Sequence, residues 1–338
     1  NRYNVFLITL RHNIVTSESE NQQQTTSDRA QSKGFSSEFL HPRFWPTWCA
    51  LSVIWLAAKL PIAMQHAIGR ILGQLAYLVM RSRRHITQTN IRLCFPHLSH
   101  QQQQRLVRRT FESQGIGLIE AASGWFSDIN RYRTITTVSG LEHLEQAQRS
   151  GRGVILLGGH YSTLDLGGCL FNLFANAGAM QRDHDNPLFN QVMSAGRQRF
   201  TKKLFGKHDL RGIIQWLNQG ETLWYATDQD YGRRSTVFAP FFGIDTATLT
   251  TTSRIAQKTG AVVIPYHHYR SYRGQYGITF GKALENFPGT SVAEDARRSN
   301  QVLEAFIRLY PDQYLWLHRR FKTRPDKNTS SYYKSKRA

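Results

Sequence analysis

The sequence predicts an α/β layer fold, in which helices cover both faces of a sheet. Two runs, GVILLGG at 153–159 and AVVIPYH at 261–267, are almost continuously apolar, which is typical of strands buried on both sides. Strand-like and helix-like segments alternate through the second half of the chain, as this fold class requires. Hydrophobic residues make up 40% of the 338 residues, which is enough for a sizeable core.

The individual elements follow from periodicity and end signals. Strands are expected near 153–158, 177–181, 222–226, 261–268 and 275–281, and helices near 163–175, 188–203, 209–218, 246–259 and 293–309. Ser99 and Gln102 form the pattern of a capping box, which predicts a helix over 100–126. Gly115 and Gly117 lie inside that helix, so we expect close packing or a break there.

The N-terminal region contains a polar stretch and then an apolar one. Residues 17–37 are polar apart from Ala30 and Phe35 and are predicted to be disordered. The stretch FWPTWCALSVIWLAAKLPIAM at 44–64 carries Lys59 as its only charge. It predicts a membrane anchor, spanning or half-inserted, although a buried core helix would give the same pattern. An amphipathic helix follows over 64–84, and its arginines suit an anionic bilayer surface.

The formal net charge of +20 indicates anionic partners such as nucleic acid, an acidic protein, a phosphorylated ligand or a membrane surface. The three cysteines form no C-x-x-C pair, so neither a zinc ribbon nor a disulfide framework is expected. The chain also lacks the G-x-S-x-G, Walker, H-E-x-x-H and G-x-G-x-x-G patterns. Their absence argues against the corresponding hydrolases, nucleotide-binding proteins and zinc proteases.

The stretch GGHYSTLD at 158–165 joins a buried strand to a helix. If His160 lies in the turn and Asp165 in the first helical turn, the carboxylate can accept a hydrogen bond from the imidazole. The other ring nitrogen is then free to take a proton. Gly158 and Gly159 would let a ligand approach the backbone. Taken alone, the spacing fits a purely structural turn histidine and helix-start aspartate at least as well.

Five blocks, in order, resemble one branch of the glycerolipid-type acyltransferases, the late Kdo-dependent lipid A acyltransferases of Gram-negative bacteria. The blocks are FLHPRFWP (39–46), GGHYSTLDLGG (158–168), RDHDNPLFN (182–190), WYATDQDYGRRSTVFAPFFG (224–243) and YLWLHRRFKTRP (314–325). The second block carries the H-x-x-x-x-D pattern, with Asp165 where members have Asp or Glu. That pattern alone is weak, but the ordered set is specific and spans roughly residues 38–325.

The resemblance implies a glycerolipid-acyltransferase-like layered mixed sheet flanked by helices, with an N-terminal membrane-anchor helix. It implies a single-pass enzyme of the bacterial inner membrane with its active site on the cytoplasmic side. The enzyme would transfer an acyl chain from acyl carrier protein to a hydroxyl of the Kdo-bearing lipid A precursor. Inner-membrane phospholipid would be a further partner, and no cofactor, metal or nucleic acid would be needed.

The same resemblance divides the chain into five parts. They are a disordered or non-family extension (1–37), the membrane anchor (38–64), a helical membrane-proximal segment (65–130), the α/β catalytic domain (131–325) and a basic tail (326–338).

On this interpretation His160 is the general base, and Asp165 orients it and stabilises the imidazolium during direct transfer in a ternary complex. Arg182 would bind a phosphate of the acceptor or stabilise the oxyanion, with a surface salt bridge as the alternative. Asn186 would shape the loop that carries Arg182.

Two further groups of polar residues are interpreted in the same way. Phosphate or carboxylate contacts are expected from a basic run, although such runs are often solvated surface: Arg319, Arg320, Lys322 and Arg324. Asp228 and Asp230 are expected to pair with Arg233, Arg234 or the arginines near 319, because two aspartates with no histidine nearby in sequence make a poor metal site. His267 and His268 end a strand, and a structural role with only one facing inward is expected.

Two other functions stay open. A related enzyme that acylates another glycolipid, such as a mannoside, would share the H-x-x-x-x-D chemistry. A nucleic-acid-binding protein, suggested by charge alone, would need a basic helix, a zinc module or an aromatic-bearing sheet, and none is apparent. No motif encodes the acyl chain length or the order of acylation.

Overall fold

Two β-sheets make up the strand framework of the computed structural model, which describes residues 36–334. The strands are β1 Thr136–Ser139, β2 Val154–Gly158, β3 Gly178–Gln181, β4 Lys203–Gly206, β5 Thr222–Ala226, β6 Thr236–Phe241, β7 Ile244–Leu249, β8 Val262–Arg270 and β9 Tyr276–Phe280. Seven of them form one sheet in the order β1-β9-β8-β2-β5-β3-β4, and β6 pairs with β7 separately. Within the large sheet β8 and β9 are antiparallel and the other pairs are parallel.

Helices surround this framework. They are α1 Trp45–Lys59, α2 Ile62–Val79, α3 Arg81–Cys94, α4 His100–Phe126, α5 Leu141–Arg149, α6 Leu164–Phe171, α7 Pro187–Gln198, α8 Leu210–Asn218, α9 Thr251–Thr259 and α10 Val292–Leu309. Short 3-10 turns occupy Ser37–Leu40, Pro42–Phe44 and Ile129–Ile135.

Strand β2 shows why the predicted α/β layer fold is correct. Its side chains alternate between the two faces of the sheet. Leu156 packs with Leu166 of α6 on one face, whereas Leu157 packs with Ile213 of α8 and Ile255 of α9 on the other. All five residues of β2 are buried, so a continuous apolar run is what this position demands.

Several elements differ from the sequence prediction. The five expected strands are present, but the sequence pattern does not predict β1, β4, β6 or β7. The helix expected over 246–259 is wrong in its first part, because Ile244–Leu249 form strand β7 and the helix begins at Thr251. The amphipathic helix expected over 64–84 is interrupted at Met80, which separates α2 from α3.

Helices α2 and α4 touch through their backbones. A side chain added at Gly115 would lie 2.1 Å from the carbonyl oxygen of Gly69, and one at Gly73 would lie 2.3 Å from that of Phe111. The close packing expected at Gly115 is therefore confirmed. The capping box is also present, since Ser99 accepts from the Gln102 amide and Gln102 accepts from the Ser99 amide.

The predicted membrane-spanning anchor requires correction. Helix α1 has 15 residues, or about 22 Å, whereas a bilayer core is about 30 Å thick. Leu60 and Pro61 separate it from α2, and its residues Leu51, Ile54 and Ala58 are buried in a cluster with residues of α4. Across residues 36–334, no helix has both the length and the apolarity to cross a membrane.

The two ends of the chain are described only in part. The predicted extension at 1–37 lies outside the described residues except for its last two, and the tail at 326–338 is described as far as Lys334. Within that tail Tyr333 is buried, accepts a hydrogen bond from the Phe321 amide and donates one to Asn90.

Candidate active site

Neighbouring parallel strands bring His160 and Asp228 together. Gly158 at the end of β2 lies opposite Ala226 at the end of β5, and each polar residue follows two positions later. Nδ1 of His160 lies 2.6 Å from Oδ1 of Asp228, and the His160 backbone amide donates to Oδ2 at 2.8 Å. The carboxyl ends of two parallel strands thus build a histidine–carboxylate pair.

The electrostatics of this pair fix the role of each nitrogen. Burial alone raises the pKa of Asp228, but the His160 ring and the hydrogen bonds from His160 outweigh it and lower the pKa to about 2. An ionised carboxylate only accepts, so Nδ1 of His160 must carry the proton, and Nε2 is left as a free acceptor. The stability gained from this lowered pKa is present above the ordinary value of 3.8 and is lost as the pH falls towards 2.

Asp165 does not bind His160, which corrects the predicted pairing. Its two carboxylate oxygens accept from Arg197 at 2.7 and 3.1 Å, and Trp125 donates to it at 3.0 Å. Asp165 is the second residue of α6, and its side chain turns towards α7 and the end of α4 rather than back to the turn. His160 and Asp165, although five residues apart, therefore belong to two separate pairs, His160–Asp228 and Asp165–Arg197.

The Asp165–Arg197 pair predicts a stability effect. Both side chains are largely buried, with 12% and 20% of their surfaces exposed. Replacing Asp165 with asparagine should lower the free energy of unfolding by about 2–4 kcal/mol, because Arg197 keeps its charge without its anionic partner. Thermal unfolding of Asp165→Asn and of the double variant Asp165→Asn/Arg197→Gln measures this. Recovery of stability in the double variant is expected, and equal stability of Asp165→Asn and the parent would contradict the pairing.

The two glycines before His160 make room for the protein itself. A side chain at Gly158 would lie 2.8 Å from Nε1 of Trp224, and one at Gly159 would lie 3.1 Å from Leu303. The prediction that these glycines let a ligand approach the backbone is therefore wrong, because the protein's own side chains fill the space beside them. The indole of Trp224 instead approaches the His160 ring edge-on, with the centroids 6.0 Å apart.

A cavity of about 490 Å³ opens beside the histidine, within the range of small-molecule sites. Its apolar lining residues include Leu164, Phe171, Ala177, Met180, Met193, Phe200, Leu204, Trp224 and Tyr266. Its polar lining residues include His160, Asp165, Arg182, Asp183, Asp185, Arg197, Lys207 and His268. His160 therefore lies beside a cavity that combines an apolar lining with charged residues. The exposed charged residues among them form its rim: Arg182, Asp183, Asp185 and Lys207.

The loop after β3 carries two predicted residues. Arg182 follows β3 directly, is exposed and lines the cavity. Asn186 caps α7 by accepting from the Phe189 amide, and its amide donates to Thr47 at 2.8 Å. Asn186 thus fixes the end of this loop, as expected, whereas its predicted part in substrate binding stays a prediction.

The basic run at 319–324 does not line the cavity. Arg320 is 1% exposed and donates to Ala247 and, more weakly, to Thr248 and Asn300, so its predicted contact with a ligand phosphate is contradicted by its place in the core. Arg324 lies over the Tyr332 ring at 3.7 Å. Arg319 and Lys322 are exposed on the surface.

Asp230 holds the same segment through donors other than arginine. It accepts from the backbone amide of Thr323 at 2.7 Å and from its hydroxyl at 2.8 Å. The predicted arginine partners of Asp228 and Asp230 are therefore replaced by His160 and Thr323. Among residues 36–334, no group of three or more His, Cys, Asp or Glu side chains could hold a metal ion.

Both histidines near the end of β8 are buried. Helix α10 covers one face of the strand there, and the start of α6 covers the other. His267 stacks on Phe306, whereas His268 lines the cavity and shares a 2.8 Å hydrogen bond with Thr163. Burial lowers the pKa of His268 to about 4, so it is neutral at physiological pH. The expectation that only one faces inward is wrong.

Sequence reasoning did not find Arg197, Trp125 or Trp224. Arg197 and Trp125 lie within helices with no motif around them. The pairing of β2 with β5 would have placed Asp228 beside His160, but nothing in the sequence showed that these strands are neighbours.

Comparison with known proteins places this site in a family. The family model for bacterial lipid A biosynthesis acyltransferases matches residues 32–323. The chain is 40% identical to the lipid A biosynthesis lauroyltransferase of Escherichia coli K12 over 300 residues, which cover 88% of this chain and 98% of that protein. It is 38% identical to the lipid A biosynthesis palmitoleoyltransferase of the same strain over 301 residues, with the same coverages.

Among solved structures, the 1-acyl-sn-glycerophosphate acyltransferase PlsC from Thermotoga maritima aligns with 75% of this chain and 99% of its own, with a TM-score of 0.37 and 15% identity. The family match and the extent of the curated similarities agree with the five sequence blocks. The chain is therefore an acyltransferase and belongs to the bacterial lipid A biosynthesis acyltransferase family.

Proposed function

We propose that this enzyme transfers a fatty acyl group from acyl carrier protein to a hydroxyl of a Kdo-bearing lipid A precursor, with His160 as the general base and Asp228 as the residue that orients it. The observation that carries the proposal is the His160–Asp228 pair beside a cavity with a largely apolar lining. The names of the relatives support lipid A acylation as the reaction class.

The chemistry follows from the free Nε2 of His160. Nε2 takes the proton of the acceptor hydroxyl as its oxygen attacks the carbonyl carbon of the thioester. The tetrahedral intermediate collapses, the C–S bond breaks, and the leaving sulfur takes the proton from the imidazolium. Asp228 stabilises that imidazolium throughout, so no covalent acyl-enzyme is needed.

The cavity suits the two parts of the reaction. Its apolar lining can bury the acyl chain, whereas Arg182 and Lys207 on the rim can bind an anionic group of the acceptor. Asp183 and Asp185 share this rim and would favour an acceptor that also presents hydroxyl donors. The excess of positive charge on the chain suits acyl carrier protein and phosphorylated lipid, which are both acidic.

Two measurements test the proposed function. Purified enzyme should transfer a labelled acyl group from acyl carrier protein to Kdo-bearing lipid A precursor, and mass spectrometry of lipid A from cells lacking the gene should show the loss of one acyl chain. Transfer to a mannoside glycolipid in preference to the lipid A precursor would favour the alternative glycolipid. Lipid A with an unchanged acyl count in those cells would contradict the proposal.

We further propose that α2 lies in the membrane surface rather than across it. Met64, Ile71, Leu75 and Leu78 are 50–62% exposed and fall on one stripe of α2, whereas its glycines face α4. Basic residues follow directly in α3, where Arg81 and Arg83 are exposed. An apolar stripe beside arginines is typical of interfacial helices.

The apolar stripe predicts the effect of surface charge on membrane binding. Inserting a Leu side chain gains roughly 1.5–3 kcal/mol, so Leu75→Glu/Leu78→Glu should bind anionic vesicles at least a hundredfold more weakly in a flotation assay. The matched control is Leu309→Glu on α10, which is 62% exposed and lies outside the stripe. Unchanged binding of the double variant would show that α2 is not the contact.

A further inference from the structure

The turn that carries His160 is held by helix α4 as well as by the sheet. A side chain added at Gly117 of α4 would lie 2.2 Å from the carbonyl oxygen of Ser162, so helix and turn are in backbone contact. The hydroxyls of Ser113 on α4 and Ser162 lie 2.9 Å apart. Ser162 is thus fixed two residues after His160.

A buried ion pair supports that contact. Nη2 of Arg270 donates to Oγ of Ser113 at 2.8 Å, and Nη1 donates to Glu120 of α4 at 2.7 Å. Glu120 also accepts from Tyr276 at 2.6 Å. Ser113, Glu120 and Arg270 are each at most 7% exposed. Burial alone raises the pKa of Glu120, but Arg270 and the hydrogen bonds to Glu120 lower it, so the pair is ionised.

A second route joins the same arginine to the turn. The backbone of Arg270 exchanges two hydrogen bonds with the Gln313 side chain, at 2.9 and 2.6 Å. The Gln313 carbonyl accepts from the Ser162 amide at 2.7 Å, and the His160 carbonyl accepts from the Leu315 amide at 3.0 Å. Two successive hydrogen bonds therefore connect Arg270 to Ser162 along each route, one through Ser113 and the other through Gln313.

We propose that Ser113 and Arg270 are positioning residues for His160, which act through Ser162 to hold the catalytic turn against helix α4. The proposal rests on the general-base function assigned to His160. Helix α4 also packs backbone to backbone on α2. The helix that fixes the turn is therefore also the one that supports α2 and its apolar stripe.

The test is a double-mutant cycle with a matched control on the same helix. Ser123 of α4 is also fully buried and donates to Gln65 at 2.8 Å, so Ser123→Ala removes a comparable hydrogen bond away from the turn. Ser113→Ala and Ser162→Ala should each lower kcat about five- to tenfold, the scale of one lost hydrogen bond, with KM for the acyl donor unchanged. Ser123→Ala should leave kcat near that of the parent.

Non-additivity is the decisive readout. Ser113→Ala/Ser162→Ala should lose no more than either single variant, whereas Ser123→Ala/Ser162→Ala should show the product of its single effects. Equal kcat for Ser113→Ala and Ser123→Ala at equal thermal stability, or multiplied losses in the first pair, would overturn the proposal.

Hydrogen exchange tests the same claim without any substrate. Amides at 160–163 should exchange faster in Ser113→Ala than in Ser123→Ala, and equal rates would overturn the proposal. A parent enzyme that fails to acylate the lipid A precursor would instead contradict the proposed function and leave the exchange result standing.

Discussion

Asp228→Asn should reduce kcat by about a thousand- to ten-thousand-fold, the scale of the same change in a serine protease triad. The Asp228 carboxylate accepts from the His160 backbone amide through Oδ2 and from Nδ1 through Oδ1. In asparagine the carbonyl oxygen must take the first position, because a backbone amide only donates. The NH₂ group then faces Nδ1, which must accept, and the ring proton moves to Nε2, where it blocks general-base catalysis.

The control for this prediction is the fold of the variant. Asparagine has nearly the shape of aspartate, so circular dichroism should be unchanged and the cavity should still bind an acyl ligand. A folded Asp228→Asn enzyme with a kcat close to that of the parent would remove Asp228 from the mechanism.

His160→Ala should abolish transfer, with a loss of about a hundred- to ten-thousand-fold in kcat, which is typical of losing a general base. The buried Asp228 carboxylate then loses its Nδ1 donor and keeps the backbone amide at 160. Some loss of stability is therefore expected as well, and thermal unfolding should show that the variant is still folded at the assay temperature. Steady-state kinetics on labelled acyl donor, together with vesicle flotation, separates the effect on chemistry from that on membrane binding.

Another histidine of the cavity is a poor candidate for the general base. His268 also lines the cavity, but its Nδ1 is engaged with Thr163 and its ring is buried. His160→Gln should be as inactive as His160→Ala, because neither side chain can take the proton. Near-normal turnover by a folded His160→Ala protein would exclude His160 as the base.

Local sequence patterns predicted the features that depend on neighbouring residues. The buried run of β2, the capping box of α4 and the tight packing at Gly115 each follow from a few adjacent side chains. The family blocks predict a catalytic role for His160 in the turn after β2, although the sequence spacing alone leaves a structural role open.

The misassigned partner of His160 shows where such reasoning ends. The sequence predicts Asp165 as the partner because it lies in the same H-x-x-x-x-D pattern, whereas Asp228 is 68 residues away and becomes a neighbour only through the parallel pairing of β2 and β5. The basic run lies in a family block whose ligand carries phosphates, which predicts ligand contact for Arg320, yet β7 and α10 surround this side chain with acceptors. In both cases the partner of the side chain is set by contacts between elements that are distant in the sequence.

The same limit applies to the apolar stretch at 44–64. Its composition is that of a membrane segment, but composition does not show that Pro61 separates two helices or that α4 covers one side of the first. The exposed stripe on α2 becomes visible only when the buried side is known.

The tautomer of His160, measured by ¹⁵N NMR of histidine-labelled enzyme, tests most directly the claim that Asp228 rather than Asp165 orients the base. His160→Gln assigns the signal by its disappearance. The structure predicts a proton on Nδ1 in the parent enzyme and in Asp165→Asn, and its transfer to Nε2 in Asp228→Asn. A tautomer that changes in Asp165→Asn but stays unchanged in Asp228→Asn would contradict the account.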